Sequence, residues 1–279
     1  MFTRMKQGWE LTKKAWSVVR QHPGLAKLPL VGGVLAVIAA LVLVAPGVFL
    51  ASADPDATRL VGYALIALGS YLASFIVIYY NVILAAAAND ALEAREPDVT
   101  AARQLAKKRI PMIAGWALVS ALVSLAFAII RDRGGFVGSI AASLGAAIWG
   151  LVTFLVVPVL TLEQVGPIDA IKRSGSLVRQ RWGQQVTGNL VIGGIATVFT
   201  FIGIGGVVGG VVLISGGTAW GALGGLLVVL GLVVAVAASV FSGATRGVFG
   251  VALYHFVAED RAVGPFTTYE LASAATPRR

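Results

Sequence analysis

The sequence predicts an all-α membrane protein, six transmembrane helices with amphipathic interfacial helices between them, on three observations. Its apolar residues fall in blocks of about 20 or more, the length that crosses a hydrocarbon core of roughly 30 Å. Hydrophobic residues make up 57% of the 279-residue chain and charged residues only 13%, against about 45–50% and roughly 25% in a soluble domain. The 22 Lys and Arg residues lie in short segments between the blocks rather than on one soluble face. The net charge of +9 therefore reads as affinity for an anionic leaflet and not for nucleic acid.

The six spans are Leu28–Ala51, Leu60–Ala88, Pro111–Ile130, Phe136–Leu162, Leu190–Ile214 and Trp220–Ser242. Several are Gly-rich, which would break a soluble helix, but in lipid the backbone must satisfy its own hydrogen bonds and a helix is the state of an isolated span. A membrane barrel needs short alternating segments, and none occurs. The amino terminus does not read as a cleaved signal. Its polar region runs to Lys27, and the apolar run that follows exceeds the roughly 7–15 residues of a signal core, although Ala51-Ser52-Ala53 mimics a cleavage site.

Orientation follows from the cations. Arg4, Lys6, Lys13, Lys14, Arg20 and Lys27 precede span one; Arg95, Arg103 and Lys107–Arg109 join spans two and three; Lys172, Arg173, Arg179 and Arg181 join spans four and five; Arg246, Arg261, Arg278 and Arg279 follow span six. Only Arg59, Arg131 and Arg133 fall on the other side. The positive-inside rule places the rich side, with both termini, in the cytoplasm of a cell whose inner membrane the chain crosses.

The cytoplasmic segments carry helices of their own. Phe2, Met5, Trp9, Trp16 and Val19 recur at helical spacing opposite Arg4, Lys6, Lys13 and Lys14, the pattern of a basic amphipathic helix in the interface. After span four, Pro167 opens a second such helix, with Ile168, Ile171, Val178 and Trp182 on one stripe and Asp169, Lys172, Arg173 and Arg181 facing away. A weaker one, with Ala101, Leu105 and Lys107–Arg109, precedes Pro111. The membrane-interface anchors expected are Trp9, Trp16, Trp182, Lys13, Lys14 and Arg173, and their partners are lipids, with anionic headgroups at the cytoplasmic leaflet. The layout reads as one polytopic domain, residues 1–260, in three helix–span–span units (1–88, 89–162, 163–260), followed by a cytoplasmic tail, 261–279. Outer loops such as Ser215–Ala219 leave no room for an outer domain.

The segment Pro158-Val-Leu-Thr-Leu-Glu163, then Gly166-Pro167-Ile168-Asp169-Ala170-Ile171-Lys172-Arg173-Ser174 and Trp182-Gly183, resembles the signature of a bacterial six-helix membrane family of unknown function. Gly8-Trp9-Glu10-Leu11, Trp16 and Leu28-Pro29-Leu30 resemble that family's amino terminus. More distantly the chain looks like the membrane-embedded part of some bacterial glycerophosphodiester phosphodiesterases, without their catalytic barrel. The resemblance implies a fold and a location, and carries over no activity, cofactor or functional residue.

Chemistry is sparse. There is no Cys and only His22 and His255 supply imidazole, with no acids at ligand spacing, so neither a metal site nor a nucleophilic triad is expected. No enzyme activity and no cofactor are expected. Glu163 closes span four just after Pro158 and is the candidate polar site, either taking a cation or basic headgroup or pairing with Lys172 or Arg173. Asp90, Glu93 and Glu259-Asp260 read as solvated charges. The mid-spans lack ionisable residues: Asn81, Asn189 and Arg246 sit near span ends, Arg246 reaching toward phosphates, which disfavours ion-driven transport. Gly205-x-x-x-Gly209 overlaps Gly206-x-x-x-Gly210 in span five, and Gly138, Ala142, Ala146 and Gly150 repeat in span four; such faces pack helices, within one chain or in a homo-oligomer or with another membrane protein. The function expected is a non-enzymatic scaffold or lipid-interacting membrane protein; the alternative is a permease or flippase-like carrier of an apolar or lipidic solute.

Overall fold

The structure, a computed structural model, describes residues 2–53, 56–182, 188–215 and 218–275, and among these the side chains of all but 2–7, 180–182, 188–198, 200, 218–220 and 273–275. Phe2, Arg4, Met5 and Lys6 as side chains, the Trp182 ring, Gly183, residues 216–217 of the last outer loop, and Arg278 and Arg279 lie outside the described residues. Among the described residues every regular element is a helix: α1 (Phe2–Gln21), α2 (Gly24–Ala51), α3 (Asp56–Leu92), α4 (Val99–Lys108), α5 (Ile110–Arg133), α6 (Gly135–Val152), α7 (Val156–Leu162), α8 (Pro167–Trp182), α9 (Gly188–Ser215), α10 (Thr218–Glu259) and α11 (Thr268–Ala275).

Five stretches of described residues are long and apolar enough to cross a membrane: α2, α3, α5, Gly135–Leu162 across α6 and α7, and Gly221–Glu259 of α10. The remaining expected span falls in α9, where Phe201–Ser215 forms a shorter apolar helix. Helix α10 outruns the expected span, continuing from Ser242 to Glu259, because its last turns bury Ala244, Val248, Phe249, Val251, Ala252 and Leu253 in protein rather than lipid. Hydropathy reads only the lipid part.

Three antiparallel hairpins, α2–α3, α5–α6 and α9–α10, carry the apolar length, and α10 also packs on α3, α2 and α1. Burial is lopsided along them. Val82–Leu84 of α3, Val156 and Leu160 of α7 and Phe249 of α10 are closed off, whereas near the hairpin turns Phe49 is 75% and Phe136 82% exposed. Such a sleeve of bare Leu, Val and Phe is costly against water and neutral against acyl chains. The short helices α1, α4, α8 and α11 cluster at the packed end.

The face that α1 and α8 turn to the bundle includes Val19 and Val178 of the expected stripes but not Trp9 or Ile168. Helix α1 buries Leu11, Ala15, Val18 and Val19; α4 buries Ala102 and Ala106; α8 buries Ala170, Ser174, Leu177 and Val178. Trp9 (41%) and Ile168 (53%) face outward. Alanine and serine let these helices lie close to the bundle beside Leu11, Val19, Leu177 and Val178, while Trp9 and Ile168 remain outside. Asp98 starts α4 by accepting from the amides of Thr100 (2.8 Å) and Ala101 (2.9 Å), a side-chain N-cap.

Two hairpins close through backbone contact. A Cβ on Gly62 would stand 2.3 Å from the Ala51 nitrogen, and one on Gly210 would stand 2.5 Å from the Gly224 oxygen. Only glycine permits that approach.

Candidate functional site

Helices α3, α7 and α10 end alike at the packed end. Each is followed by a non-glycine residue in the left-handed region: Ala94 (φ 56°), Gln164 (φ 58°) and Asp260 (φ 53°). In each case the preceding residue is a glutamate, Glu93, Glu163 or Glu259, and each glutamate is ion-paired.

Glu163 ties three helices. Arg173 Nε of α8 donates to its Oε1 at 2.9 Å and Tyr254 Oη of α10 donates to the same oxygen at 2.9 Å. Of the pairings expected for this acid, Arg173 is the one made; Lys172 pairs with Asp169 at 3.7 Å.

The other two glutamates join one cluster. Arg261 Nη2 donates to Glu93 Oε1 (2.8 Å) and Glu259 Oε2 (3.2 Å), and Arg95 pairs with both Glu93 and Asp90. His255, only 4% exposed, places Nε2 2.6 Å from Asn89 Oδ1 and Nδ1 2.7 Å from Glu259 Oε2. The hydrogen bond from Arg261, reinforced against burial by Arg95, holds the Glu93 carboxyl below the usual carboxylate range. His255 thus departs from the interfacial residue that its polar sequence neighbourhood describes, and the acids, still partly exposed, are paired rather than merely solvated. Non-local helix ends bring them together, and the one local signal was the recurrence of Leu92-Glu93-Ala94, Leu162-Glu163-Gln164 and Ala258-Glu259-Asp260.

Between α6 and α7 the helix breaks at Thr153–Leu155. Ser174 of α8 accepts from the Leu155 amide at 3.2 Å and donates to the Val152 carbonyl at 2.5 Å, restoring partners that the break removes. Nearby, Arg109 is 7% exposed and donates to the Leu160 carbonyl; burial pushes its guanidinium below its ordinary value.

Beside this break lies a cavity of about 620 Å³. Asn81 and Ala85 of α3, Phe154, Val157 and Pro158 at the α6–α7 corner, and Phe201 and Ile204 of α9 form its walls, and α10 adds Ser239, Ser242 and Arg246. Ser239 bonds back to the Ala235 carbonyl at 2.8 Å. Among the described residues Asn81, Ser242 and Arg246 have no side-chain partner.

The remaining expected anchors divide. Trp16 packs at a tilt against Phe241 of α10 with centroids 4.8 Å apart, while Trp9 stays outside under Lys13, 5.8 Å from its ring. Lys13 pairs with Glu10 at 2.9 Å. Lys14 reaches α11, donating to both Glu270 oxygens at 2.6 Å. In α9, Gly206 and Gly210 face α10, whereas Gly205 and Gly209 have nothing within 4 Å of a built Cβ. In α6, Gly138 lies against the Ile130 carbonyl of α5 and Ala142 is fully buried. No group of three or more His, Asp or Glu able to hold a metal ion occurs among the described residues.

One family model matches, over residues 60–264, and its description is that of a family of unknown function (DUF6159). No curated protein and no solved structure matches, and the distant likeness to glycerophosphodiester phosphodiesterases gains no support.

Proposed function

The chain belongs to the family of unknown function DUF6159, and we propose that it is a non-enzymatic protein of the cytoplasmic membrane that gathers anionic phospholipid at its cytoplasmic face. In this reading α9 is the sixth span, and α1–α3, α4–α7 and α8–α10 are three units, each an amphipathic helix leading into a hairpin. The three equivalent left-handed helix ends support the repeat.

The observation that carries the reading is coincidence of place. Among the described residues, the packed end, where protein buries protein, is also the end where all the cations but Arg59, Arg131 and Arg133 lie. Basic helices resting on a bundle at headgroup depth attract an anionic leaflet, each cation adding about 1 kcal/mol near the surface. Glu93, Glu163 and Glu259 there are tied to arginine, tyrosine or histidine, which supports a structural rather than a catalytic role for them.

The test has two arms. Because the chain has no Cys, Ser52→Cys in the α2–α3 turn and Thr100→Cys on α4 each present a single thiol. An impermeant maleimide on intact cells is expected to label the first and spare the second; the reverse pattern overturns the orientation. Native mass spectrometry after mild extraction is expected to find anionic phospholipid at fixed ratio, and a chain that emerges bare or with neutral lipid alone refutes the function.

A further inference from the structure

Resting on that reading, we infer that the cavity beside α10 is a binding site for one phospholipid of the cytoplasmic leaflet, with Arg246 receiving its phosphate. The cavity's depth is the first ground. At the rise of an α-helix, Arg246 lies about 42 Å along α10 from Thr218 and Asn81 about 38 Å along α3 from Asp56, close to the headgroups of a bilayer about 40–45 Å thick. Phe201 and Ile204 lie only about 17–21 Å from the turn end of α9, within the acyl region. The polar wall is thus at headgroup depth and the apolar wall at chain depth.

Chemistry is the second ground. Arg246, Asn81 and Ser242 are donors converging on one space, uncommitted to any described residue. A guanidinium with an amide and a hydroxyl suits a phosphate, which offers acceptors and no donors. Among the described residues no carboxylate lines the cavity to balance Arg246 or to hold an ammonium headgroup, so an anionic lipid is favoured over a zwitterionic one. At the packed end Arg95, Arg109, Arg173 and Arg261 each have a protein acceptor; Arg246 faces the cavity.

Access is the third. Helix α9 packs chiefly on α10 and α1, and among the described residues no packed seam joins it to α6 or α7. The cavity therefore lacks a helix seam on that side, where acyl chains can pass to the bilayer. Its volume of about 620 Å³ falls within the roughly 300–1,000 Å³ of ligand pockets, room for the headgroup and the upper chains.

The experiment titrates the full chain in detergent with phosphatidylglycerol, phosphatidylethanolamine, inorganic phosphate or glycerol phosphate, read by native mass spectrometry. Wild type is expected to hold one phosphatidylglycerol per chain, and Arg246→Ala to weaken it by about tenfold or more, as for loss of a charge-assisted phosphate contact. Ser239→Trp, which blocks the cavity and leaves Arg246 in place, is expected to lose the same lipid while circular dichroism stays unchanged. If wild type retains a fixed lipid and both variants retain it equally, the site is refuted while the lipid-gathering reading stands; if wild type retains none, that reading fails too. Displacement of the lipid by equimolar inorganic phosphate or glycerol phosphate refutes the phospholipid in favour of a free phosphate.

Discussion

Ser174 donates its hydroxyl hydrogen to the carbonyl of Val152, on a different helix and at the point where α6 stops. The same oxygen accepts the amide of Leu155, so one fully buried serine satisfies both sides of a break in a chain segment long enough to cross the bilayer. Ser174→Ala keeps the helix propensity of α8 and removes both bonds. We expect a loss of about 1–3 kcal/mol, the cost of unsatisfied buried groups, read as a lower unfolding midpoint in detergent. Amide exchange at Leu155 is expected to accelerate; unchanged protection there would mean that water or a rearranged backbone supplies the partners.

Acid should loosen the packed end. The Glu93 carboxyl is held below its ordinary value of 4.5, first by Arg261 and then, against burial, by Arg95. A depressed folded-state pKa means that the stabilisation is complete above the unfolded value and is lost as pH falls through the folded one. Stability is therefore expected to be flat with respect to this group from neutrality down to about pH 5 and to decline below pH 4.5. Glu270 adds to the same trend: burial raises its pKa, but the bonds from Lys14 and Thr267 outweigh that. Glu93→Gln should flatten the acid limb of a thermal-unfolding series, and an identical limb would remove this carboxylate from the account.

Much of the fold was legible because the bilayer imposes a length and the cations mark its faces. The five long apolar stretches, the helix starting at Pro167 and the hairpin turns near Ala53 and Arg133 all follow from local composition. The site was less legible. Asn89 and His255 are far apart in the chain yet 2.6 Å apart in space, and nothing near either residue signals the other. Ser174 is one of many serines until the break beside Val152 is seen. The helical stripes on α1 and α8 were legible only in part: with lipid as the surrounding medium Trp9 and Ile168 have no need to face inward, while Val19 and Val178 of the same stripes meet protein.

The two overlapping glycine registers of α9 should behave differently. A Cβ on Gly210 collides with the Gly224 oxygen at 2.5 Å, while one on Gly209 meets nothing within 4 Å. Gly210→Ala is expected to wedge α9 from α10 and lower thermal stability. Gly209→Ala removes backbone freedom in a helix interior without a clash and should be neutral or stabilising by up to about 1 kcal/mol. Equal effects at the two positions would place the α9–α10 seam elsewhere.

The two tryptophans of α1 offer the sharpest contrast, because periodicity assigns them one role and the structure separates them. Trp16 is half-buried with its ring 4.8 Å from Phe241 of α10, and Trp9 is exposed beside Lys13. Trp16→Ala should therefore destabilise the docking of α1 on the bundle, and a double-mutant cycle with Phe241→Ala should show a coupling of about 0.5–1.5 kcal/mol, as for an aromatic pair. Trp9→Ala should leave that coupling and the unfolding midpoint in place. Its effect belongs to the interface, where an indole sits between headgroups and chains, so it should appear as altered quenching of the remaining α1 tryptophan by brominated lipids. A coupling near zero for Trp16 with Phe241 would return both indoles to the membrane surface and make α1 a lipid-held helix rather than a protein-held one.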